Sequence, residues 1–209
     1  MSREDAARCV GAGYEAAAEL VAAKTGIIAL GEMGIGNTTS ASALVAALLA
    51  VEPETVCGRG TGIDDEGLAR KVGAVRQALA VNRPKPADGL GTLALLGGFE
   101  IGFLSGVAVG AAERGVVVLL DGFITGAAAL IAERIAPGTK DAMLAAHLSP
   151  EPGHRLVLDT LGLEPLLDLR LRLGEGTGAT LALPLVHAAL AILAEMATFE
   201  SAGVTDAGG

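Results

Sequence analysis

The fold prediction for this chain rests on residues 31–40, which read Gly31-Glu32-Met33-Gly34-Ile35-Gly36-Asn37-Thr38-Thr39-Ser40. They follow a short apolar run at 26–30 and lead into an Ala/Leu-rich segment at 41–51. A strand, a glycine turn and a helix start, in that order, form the layout in which backbone N–H groups bind a phosphate. The stretch is neither a Walker A motif nor a dinucleotide fingerprint, because it lacks Gly-Lys-Ser/Thr and a third glycine at the required spacing. A tight turn without any ligand is the competing interpretation.

The side chains of this turn suggest what it binds. Gly34 and Gly36 permit backbone angles and close approaches that a Cβ resists. Asn37 and Thr38 offer helix caps and further hydrogen-bond donors. The carboxylate of Glu32 would repel a phosphate, so we expect it to face a ribose hydroxyl or a cationic ring. The sequence therefore predicts a binding turn for a phosphorylated ligand that also carries one of those groups.

Composition narrows the class of protein. The chain has 209 residues, enough for one domain or slightly more, and 51% of them are apolar while only 2% are aromatic. The net charge of −9 and the lack of a basic cluster argue against a nucleic-acid partner. The two cysteines suit a reducing compartment and form no metal-binding pattern. We therefore expect a cytoplasmic protein without a metal or cofactor.

One segment raises the question of a membrane. The longest uncharged run, residues 176–194, reaches the length of a membrane span. Its first third is rich in glycine and threonine, however, and Pro184 and His187 interrupt the rest. We expect a long helix from residue 179 to about 199 that is buried in a soluble protein, followed by a frayed tail that ends at 206–209. The charged, amphipathic N-terminus gives no indication of a signal peptide.

Three apolar runs, at 26–30, 116–120 and 143–147, are predicted to be parallel strands, because helical segments separate them. Each run ends in a polar, glycine-containing turn, and a fourth such turn at 174–178 precedes the long helix. The carboxyl ends of parallel strands lie at one edge of the sheet. The sequence therefore predicts a Rossmann-like, three-layer α/β fold, a parallel sheet flanked by helices, with a crevice where the four turns meet.

Two cations could neutralise a phosphate in this crevice. Arg59 lies in a glycine-rich loop, and Lys71 lies on the helix that Asp64 and Asp65 are expected to cap. A solvated lysine on a helix surface is the alternative for Lys71. The three histidines are expected to have structural roles.

Four segments together resemble a known family: residues 31–39, 97–101 (Gly-Gly-Phe-Glu-Ile), 121–123 (Asp-Gly-Phe) and 171–179 (Leu-Arg-Leu-Gly-Glu-Gly-Thr-Gly-Ala). The chain resembles nicotinate-nucleotide–dimethylbenzimidazole phosphoribosyltransferases from near its start to about residue 202. The resemblance implies a homodimer of α/β subunits with a small helical domain, to which the helix at 179–202 would contribute. It also implies transfer of phosphoribose from nicotinate mononucleotide to 5,6-dimethylbenzimidazole, with inversion and without a metal, in assembly of the cobalamin lower ligand.

The resemblance also implies roles for individual residues. The catalytic glutamate falls on Glu175, which would remove the proton from the attacking azole, and burial against Leu171 and Leu173 would favour that role. The implied substrate-binding residues are Glu32, Gly34, Gly36, Asn37, Thr38, Lys71, Gly98, Asp121, Gly122, Ser149 and Leu173. The leaving group is a cationic pyridinium that departs as a neutral nitrogen base, so the reaction needs no strong acid.

The chain departs from this family in length, because the family's chains usually exceed 300 residues and this sequence matches their later portion. We therefore expect it to lack an N-terminal segment that supplies much of the acceptor pocket, as a shortened chain, a fragment from an internal methionine or a natural short homologue. On that basis it should bind nucleotide better than it turns it over. Two alternatives stay open: a binder of phosphorylated nucleotides without turnover, and a transferase for another azole or phenolic acceptor.

Overall fold

The computed structural model, which describes residues 1–203, contains a sheet of four parallel strands in the order β1-β2-β3-β4. The strands are β1 (Ile27–Ala29), β2 (Val117–Leu120), β3 (Met143–His147) and β4 (Pro165–Leu167). The α/β fold and the three predicted strands are confirmed, and β2 is apolar at every position because helices cover both of its faces. The fourth strand was missed because it begins with a proline, which cannot donate a hydrogen bond to a sheet and is depleted in strands.

Nine α-helices in the described range surround the sheet. They are α1 (Arg3–Ala22), α2 (Thr38–Leu49), α3 (Pro53–Val56), α4 (Asp65–Asn82), α5 (Gly89–Leu96), α6 (Phe99–Glu113), α7 (Phe123–Ile135), α8 (Gly153–Leu161) and α9 (Thr177–Glu195). A 3₁₀ turn at Thr139–Ala142 leads into β3. The helix that follows the second glycine turn, α7, starts at Phe123, directly after that turn.

Local capping explains where two of the helices begin. Ser2 and Asp5 form a reciprocal capping box at the start of α1, as their spacing predicts. The side chain of Asp64 accepts a hydrogen bond from the Gly67 N–H at the start of α4, which confirms the predicted cap. Both caps fix helix starts through contacts within three residues.

Glycines allow α1 and α6 to pack with their backbones in contact. A Cβ on Gly13 of α1 would lie 1.9 Å from the carbonyl oxygen of Phe103, and a Cβ on Gly106 of α6 would lie 1.9 Å from that of Val10. Neither position has room for a side chain. The abundance of glycine in this chain is therefore partly a requirement of helix packing.

The sheet has a core on each face, and the two cores differ in size. The larger core lies between the sheet and α2, α6 and α7. The smaller core is made by α9, whose Ala179 and Ala182 pack against Leu119 and Ala146 of the sheet. The predicted contribution of the C-terminal helix to a separate helical domain stays a prediction, and α9 contacts β2, β3 and β4.

The prediction that the last helix is buried is wrong. Only 17% of the most apolar 18-residue window in α9 is buried, and the helix ends at Glu195 rather than near 199. Within residues 1–203, α9 is the one helix that is long and apolar enough to cross a membrane. Small residues bring one side of α9 onto the sheet, and its larger apolar side chains face outward. The predicted frayed tail at 206–209 lies outside the described residues.

Candidate functional site

A cavity of about 250 Å³ opens at the carboxyl edge of the sheet, where the predicted turns converge. It is bounded by the turns that follow β1, β2 and β3 and by the loop that precedes α9. Nine of the predicted substrate-binding residues line it: Glu32, Gly34, Gly36, Thr38, Lys71, Asp121, Gly122, Ser149 and Leu173. Asn37, Gly98 and Glu175 do not line it. The topology of a parallel sheet thus brings together residues that are far apart in the sequence, such as Glu32 and Leu173, which are 141 positions apart.

The two glutamate turns are in direct contact. The backbone N–H of Glu175 donates a hydrogen bond to the carbonyl oxygen of Glu32 over 3.0 Å. A Cβ on Gly31 would lie only 2.4 Å from the nitrogen of Gly176, so Gly31 has to be a glycine for the turns to meet. This contact fixes the position of each turn relative to the other.

Glu32 is held by its own turn. Its Oε2 accepts hydrogen bonds from the Gly34 N–H at 2.7 Å and from Asn37 Nδ2 at 2.6 Å. The predicted capping role of Asn37 is therefore wrong, because its side chain makes no cap hydrogen bond at the start of α2. Nδ2 of Asn37 also lies 3.4 Å from Glu100 Oε1, so one amide lies between two carboxylates. Glu32 enters the cavity wall as a pre-oriented carboxylate.

Lys71 is buried rather than solvated, which excludes the alternative considered for it. Its ammonium donates hydrogen bonds to Thr38 Oγ1 at 3.0 Å and to the Gly58 carbonyl oxygen at 2.8 Å. Burial lowers the pKa of Lys71, and the negative charge of nearby Glu151 opposes that shift. An ammonium has three N–H donors, so two protein acceptors leave one donor for a ligand. The result is a cation at the N-terminus of α2, beside the glycine turn.

Two arginines line the cavity, and protein groups hold both. Arg59 forms an ion pair with Asp65 and donates a hydrogen bond to the Ile63 carbonyl oxygen. Arg172 donates a hydrogen bond to the Gly60 carbonyl oxygen over 3.3 Å. Lys71 is therefore the cation in the cavity wall that is best placed for a phosphate. The guanidinium of Arg59 is instead occupied by its contacts with Asp65 and Ile63.

The cavity also contains residues to which the sequence analysis gave no binding role. Glu151 accepts a hydrogen bond from the Gly60 N–H at 2.9 Å, and its carboxylate packs so closely that a Cβ on Gly58 would lie 2.3 Å from Oε2. His147, for which a structural role was expected, lines the cavity at the end of β3. The Ser-Pro-Glu-Pro-Gly turn after β3 was recognisable as a turn, but no local pattern indicates which of its side chains points inward.

Asp121 ties β2 to the loop that carries Glu175. It is 4% exposed, and its carboxylate accepts hydrogen bonds from the N–H groups of Gly176 at 3.2 Å and Ala179 at 3.1 Å. The N-cap residue of α9 is Gly176, which has no side chain for capping. Asp121 therefore supplies from another element the carboxylate that a helix N-terminus favours.

Glu175 does not have the surroundings that the sequence predicted. Its side chain is exposed, and Leu173, which was expected to cover it, is 70% exposed. Its backbone is left-handed, with φ +59°, between two glycines with positive φ. The expected burial is absent because no described segment packs over this loop.

Gly98 also lies outside the cavity wall. It is the N-cap residue of α6, and a Cβ there would lie 2.5 Å from the carboxylate of Glu100. Its position beside Glu100 places it near Asn37 and so near the Glu32 turn. Its predicted role as a substrate-binding residue stays a prediction.

The fold and this cavity define a class of protein, and the comparisons with known proteins agree with it. Residues 1–204 match the family model described as Phosphoribosyltransferase, and the chain belongs to that family. Among its relatives, the nicotinate-nucleotide–dimethylbenzimidazole phosphoribosyltransferase of Desulforudis audaxviator is 55% identical over 207 residues, which cover 99% of this chain and 59% of the relative. The enzyme of the same name from Roseiflexus sp. is 55% identical over 205 residues, which cover 98% of this chain and 58% of the relative.

A solved structure supports the same assignment. The crystal structure of CobT from Thermus thermophilus matches with a TM-score of 0.93 and 52% sequence identity. The match covers 99% of this chain and 61% of that one. The chain thus spans about three-fifths of the length of these relatives.

Proposed function

We propose that the protein transfers the phosphoribosyl group of nicotinate mononucleotide to 5,6-dimethylbenzimidazole, giving α-ribazole 5′-phosphate and nicotinate. The observation that carries this proposal is the cavity in which buried Lys71 and the glycine turn at Gly34 meet the loop that contains Glu175. The relatives that are 55% identical over the matched residues are named for this reaction, although the chain spans only part of their length.

Each part of the nucleotide has a suitable group in the cavity wall. The phosphate fits against Lys71 and Thr38, where an ammonium, a hydroxyl and the N-terminus of α2 favour an anion. The oriented carboxylate of Glu32 suits a ribose hydroxyl or the cationic pyridinium ring. Ser149 and Gly122 complete the wall on the side of β2 and β3.

The chemistry that this arrangement supports is a displacement at the anomeric carbon. A nitrogen of the azole forms a bond to that carbon while the bond to the pyridinium nitrogen breaks, and the bonding electrons neutralise the leaving ring. The azole becomes cationic unless its N–H proton departs, and Glu175 is the carboxylate that we assign as the acceptor of that proton. General-base catalysis of this kind contributes about 10²–10⁴-fold.

The same family resemblance motivates proposals about assembly and location. We propose that the protein forms a homodimer in the cytoplasm, with no nucleic-acid or membrane partner. The net charge of −9 supports the first of these exclusions. The exposed apolar side of α9 supports association with a second copy.

One observation favours a second candidate function, binding of a phosphorylated nucleotide without turnover. On the phosphate side of the cavity, Lys71 is buried and donates a hydrogen bond to half-buried Thr38, whereas Glu175 and Leu173 on the other side are exposed. A transferase that acts on another azole or a phenolic acceptor is the remaining alternative, because Glu175 is exposed and does not line the cavity, so its contacts select no particular acceptor.

Product analysis decides between these functions. The purified protein is incubated with nicotinate mononucleotide and, separately, with dimethylbenzimidazole, other azoles and phenols, and the products are separated by chromatography. We expect α-ribazole 5′-phosphate, and we expect Glu175→Gln to lower kcat by about 10²-fold or more with little change in KM for the nucleotide. The matched control is Glu195→Gln, at the far end of α9. Nucleotide binding without any product would favour the second function, and a loss below tenfold would remove Glu175 as the base.

A further inference from the structure

Three buried polar side chains lie next to one another in and beneath the floor of the cavity, and the proposed chemistry leaves two of them unexplained. Asp121 follows β2, His147 ends β3 and His154 lies in α8, and they are 4%, 4% and 1% exposed. The rings of the two histidines have centroids 6.2 Å apart and are inclined at 61°. Buried polar groups normally have hydrogen-bond partners, so the contacts of these three residues are informative.

The hydrogen bonds of His154 determine which of its nitrogens carries the proton. Its Nδ1 accepts a hydrogen bond from the Ser149 N–H over 2.8 Å, so Nδ1 is unprotonated. Burial, with a smaller contribution from His147 and Arg155, lowers the pKa of His154 to about 3, and the ring is therefore neutral at ordinary pH. The single ring hydrogen must be on Nε2, a buried donor without a partner in residues 1–203.

His147 has the complementary arrangement. Its Nε2 lies 3.7 Å from Asp121 Oδ1, which favours a hydrogen on Nε2. Its Nδ1 is then an acceptor, and this nitrogen is also buried without a partner among the described residues. A neutral donor on His154 and an acceptor on His147 thus lie in adjacent rings. One ordered water that bonds to both nitrogens would satisfy them.

Asp121 extends this arrangement to the loop that carries Glu175, through the hydrogen bonds that it accepts from Gly176 and Ala179. The ring of His147 fits there only because residue 178 is a glycine. A Cβ on Gly178 would lie 2.0 Å from His147 Cδ2 and 2.8 Å from Asp121 Oδ1. The first turn of α9, directly after the Glu175 loop, therefore packs onto this pair.

We propose that Asp121, His147 and His154 form a polar relay in and beneath the floor of the cavity, with one water bridging the two histidines, and that this relay holds the Glu175 loop in position relative to the Ser149 turn. In this relay the Ser149 N–H donates to His154, His154 Nε2–H donates through one water to His147, and the Nε2–H of His147 faces the Asp121 carboxylate 3.7 Å away. His147 and His154 are positioning residues in this relay. The proposal rests on the proposed function, because the two segments that it joins are the two sides of that ligand site.

The first test uses the unaltered protein without ligand. Long-range ¹H–¹⁵N NMR correlations of the histidine rings report which nitrogen carries hydrogen. We expect His154 to be a neutral Nε2–H tautomer at pH 7 and His147 to carry a hydrogen on Nε2 and none on Nδ1. Exposed His187 is the internal reference. An Nδ1–H tautomer at either His147 or His154 would overturn the relay.

The second test separates a positioning role from a merely structural one. His147→Gln keeps an N–H donor near Asp121, whereas His147→Leu removes it. On addition of nicotinate mononucleotide, we expect the amide signals of Gly176 and Ala179 to move in the unaltered protein and in His147→Gln but not in His147→Leu. The affinity should fall by about tenfold in His147→Leu and by less than about threefold in His147→Gln.

Equal affinities and equal amide shifts in the two variants would contradict the proposal. If the unaltered protein fails to bind nicotinate mononucleotide, the proposed function is wrong, and the tautomers still decide whether the relay exists. If His147→Leu does not fold, Asp121→Asn replaces it, since the same loss of amide response is expected when the carboxylate is removed.

Discussion

At the scale of single residues, buried Lys71 distinguishes this cavity from an ordinary turn. A lysine is seldom buried unless its ammonium has partners, and this one has a hydroxyl and a carbonyl oxygen. The remaining N–H and the positive charge face a glycine turn at a helix N-terminus. On the proposed function, Lys71 would therefore lower the free energy of a bound phosphate at the cost of its own desolvation.

Replacement of Lys71 should weaken nucleotide binding. A hydrogen bond to a charged group contributes about 1.5–3 kcal/mol, so Lys71→Ala should raise the Kd for nicotinate mononucleotide by about tenfold or more. Isothermal titration calorimetry measures the change. Lys85→Ala, which removes an exposed lysine, is the control and should bind as the unaltered protein does. Equal affinities for Lys71→Ala and Lys85→Ala would exclude Lys71 from the site.

His154 should make stability depend on pH. Its folded-state pKa is lowered to about 3 from 6.5, so between these values the unfolded chain binds a proton that the folded protein does not. This residue therefore leaves stability unchanged above pH 6.5 and lowers it as pH falls below 6.5, by about 1.4 kcal/mol per pH unit until pH 3.

Urea unfolding at pH 7, 6 and 5 tests the pH dependence with two variants. His154→Asn keeps an acceptor for the Ser149 N–H but has no proton to gain, so its unfolding free energy should fall less steeply with acid than that of the unaltered protein. His187→Gln, at an exposed position, should retain the full slope. The idea fails if all three proteins have the same slope.

At the scale of secondary-structure elements, glycine has two different roles in α1. Gly13 lies where α1 meets α6, and Gly11 lies on the exposed side with nothing within 4 Å of a Cβ. Both are in a helix, where glycine is less favourable than alanine in the absence of other contacts. A comparison of substitutions at these two positions therefore distinguishes the conformational cost of a glycine in a helix from the close packing that requires one.

The two glycines should respond to alanine in opposite directions. Gly13→Ala places a methyl group 1.9 Å from the Phe103 carbonyl oxygen and should lower the free energy of unfolding by about 1–3 kcal/mol, since the helices must separate. Gly11→Ala should raise it by about 0.4–1 kcal/mol. Chemical denaturation of both variants measures the difference. A stabilising effect of Gly13→Ala would show that the α1–α6 contact is wider than described.

At the scale of the whole molecule, the main feature is a thin second core with an exposed apolar side. The small residues of α9 cover the sheet, and its larger side chains face outward: Leu181, Leu185, Leu190, Ile192 and Leu193 are 47–84% exposed. Contiguous apolar surface of this kind marks sites of association in soluble proteins. On the proposal that the protein forms a homodimer, we expect a second copy of the chain to cover this surface.

Self-association through α9 should be sensitive to charge. Leu185 and Ile192 are two turns apart and therefore lie on the same side of the helix. We expect the protein to be larger than a monomer by light scattering and Leu185→Glu/Ile192→Glu to shift it toward the monomer. Val81→Glu, at another exposed apolar position on α4, should leave the assembly unchanged. A monomeric unaltered protein at micromolar concentration would contradict this prediction.

Residues 31–40 illustrate which features of the structure can be predicted from local sequence patterns. Glycine spacing, apolar runs and capping residues act within a few positions, so they predicted the turns, the strands β1, β2 and β3, the start of α4 and the carboxyl-edge crevice. The motifs at 31–39 and 171–179 carried the resemblance to a family that the comparisons then showed. These features depend on backbone geometry that each segment specifies for itself.

What each side chain does in the crevice was decided only by the tertiary structure. Asn37 supports Glu32 instead of capping a helix, Lys71 is buried against Gly58, and Glu175 is exposed. Asp121 caps a helix that begins 56 residues later, at Thr177. Burial and hydrogen-bond partners depend on which distant segments meet, and no local pattern encodes that. The sequence by itself determined where the turns lie and which family the chain belongs to. The packing of elements that are distant in the sequence determined which side chains the turns present to the cavity.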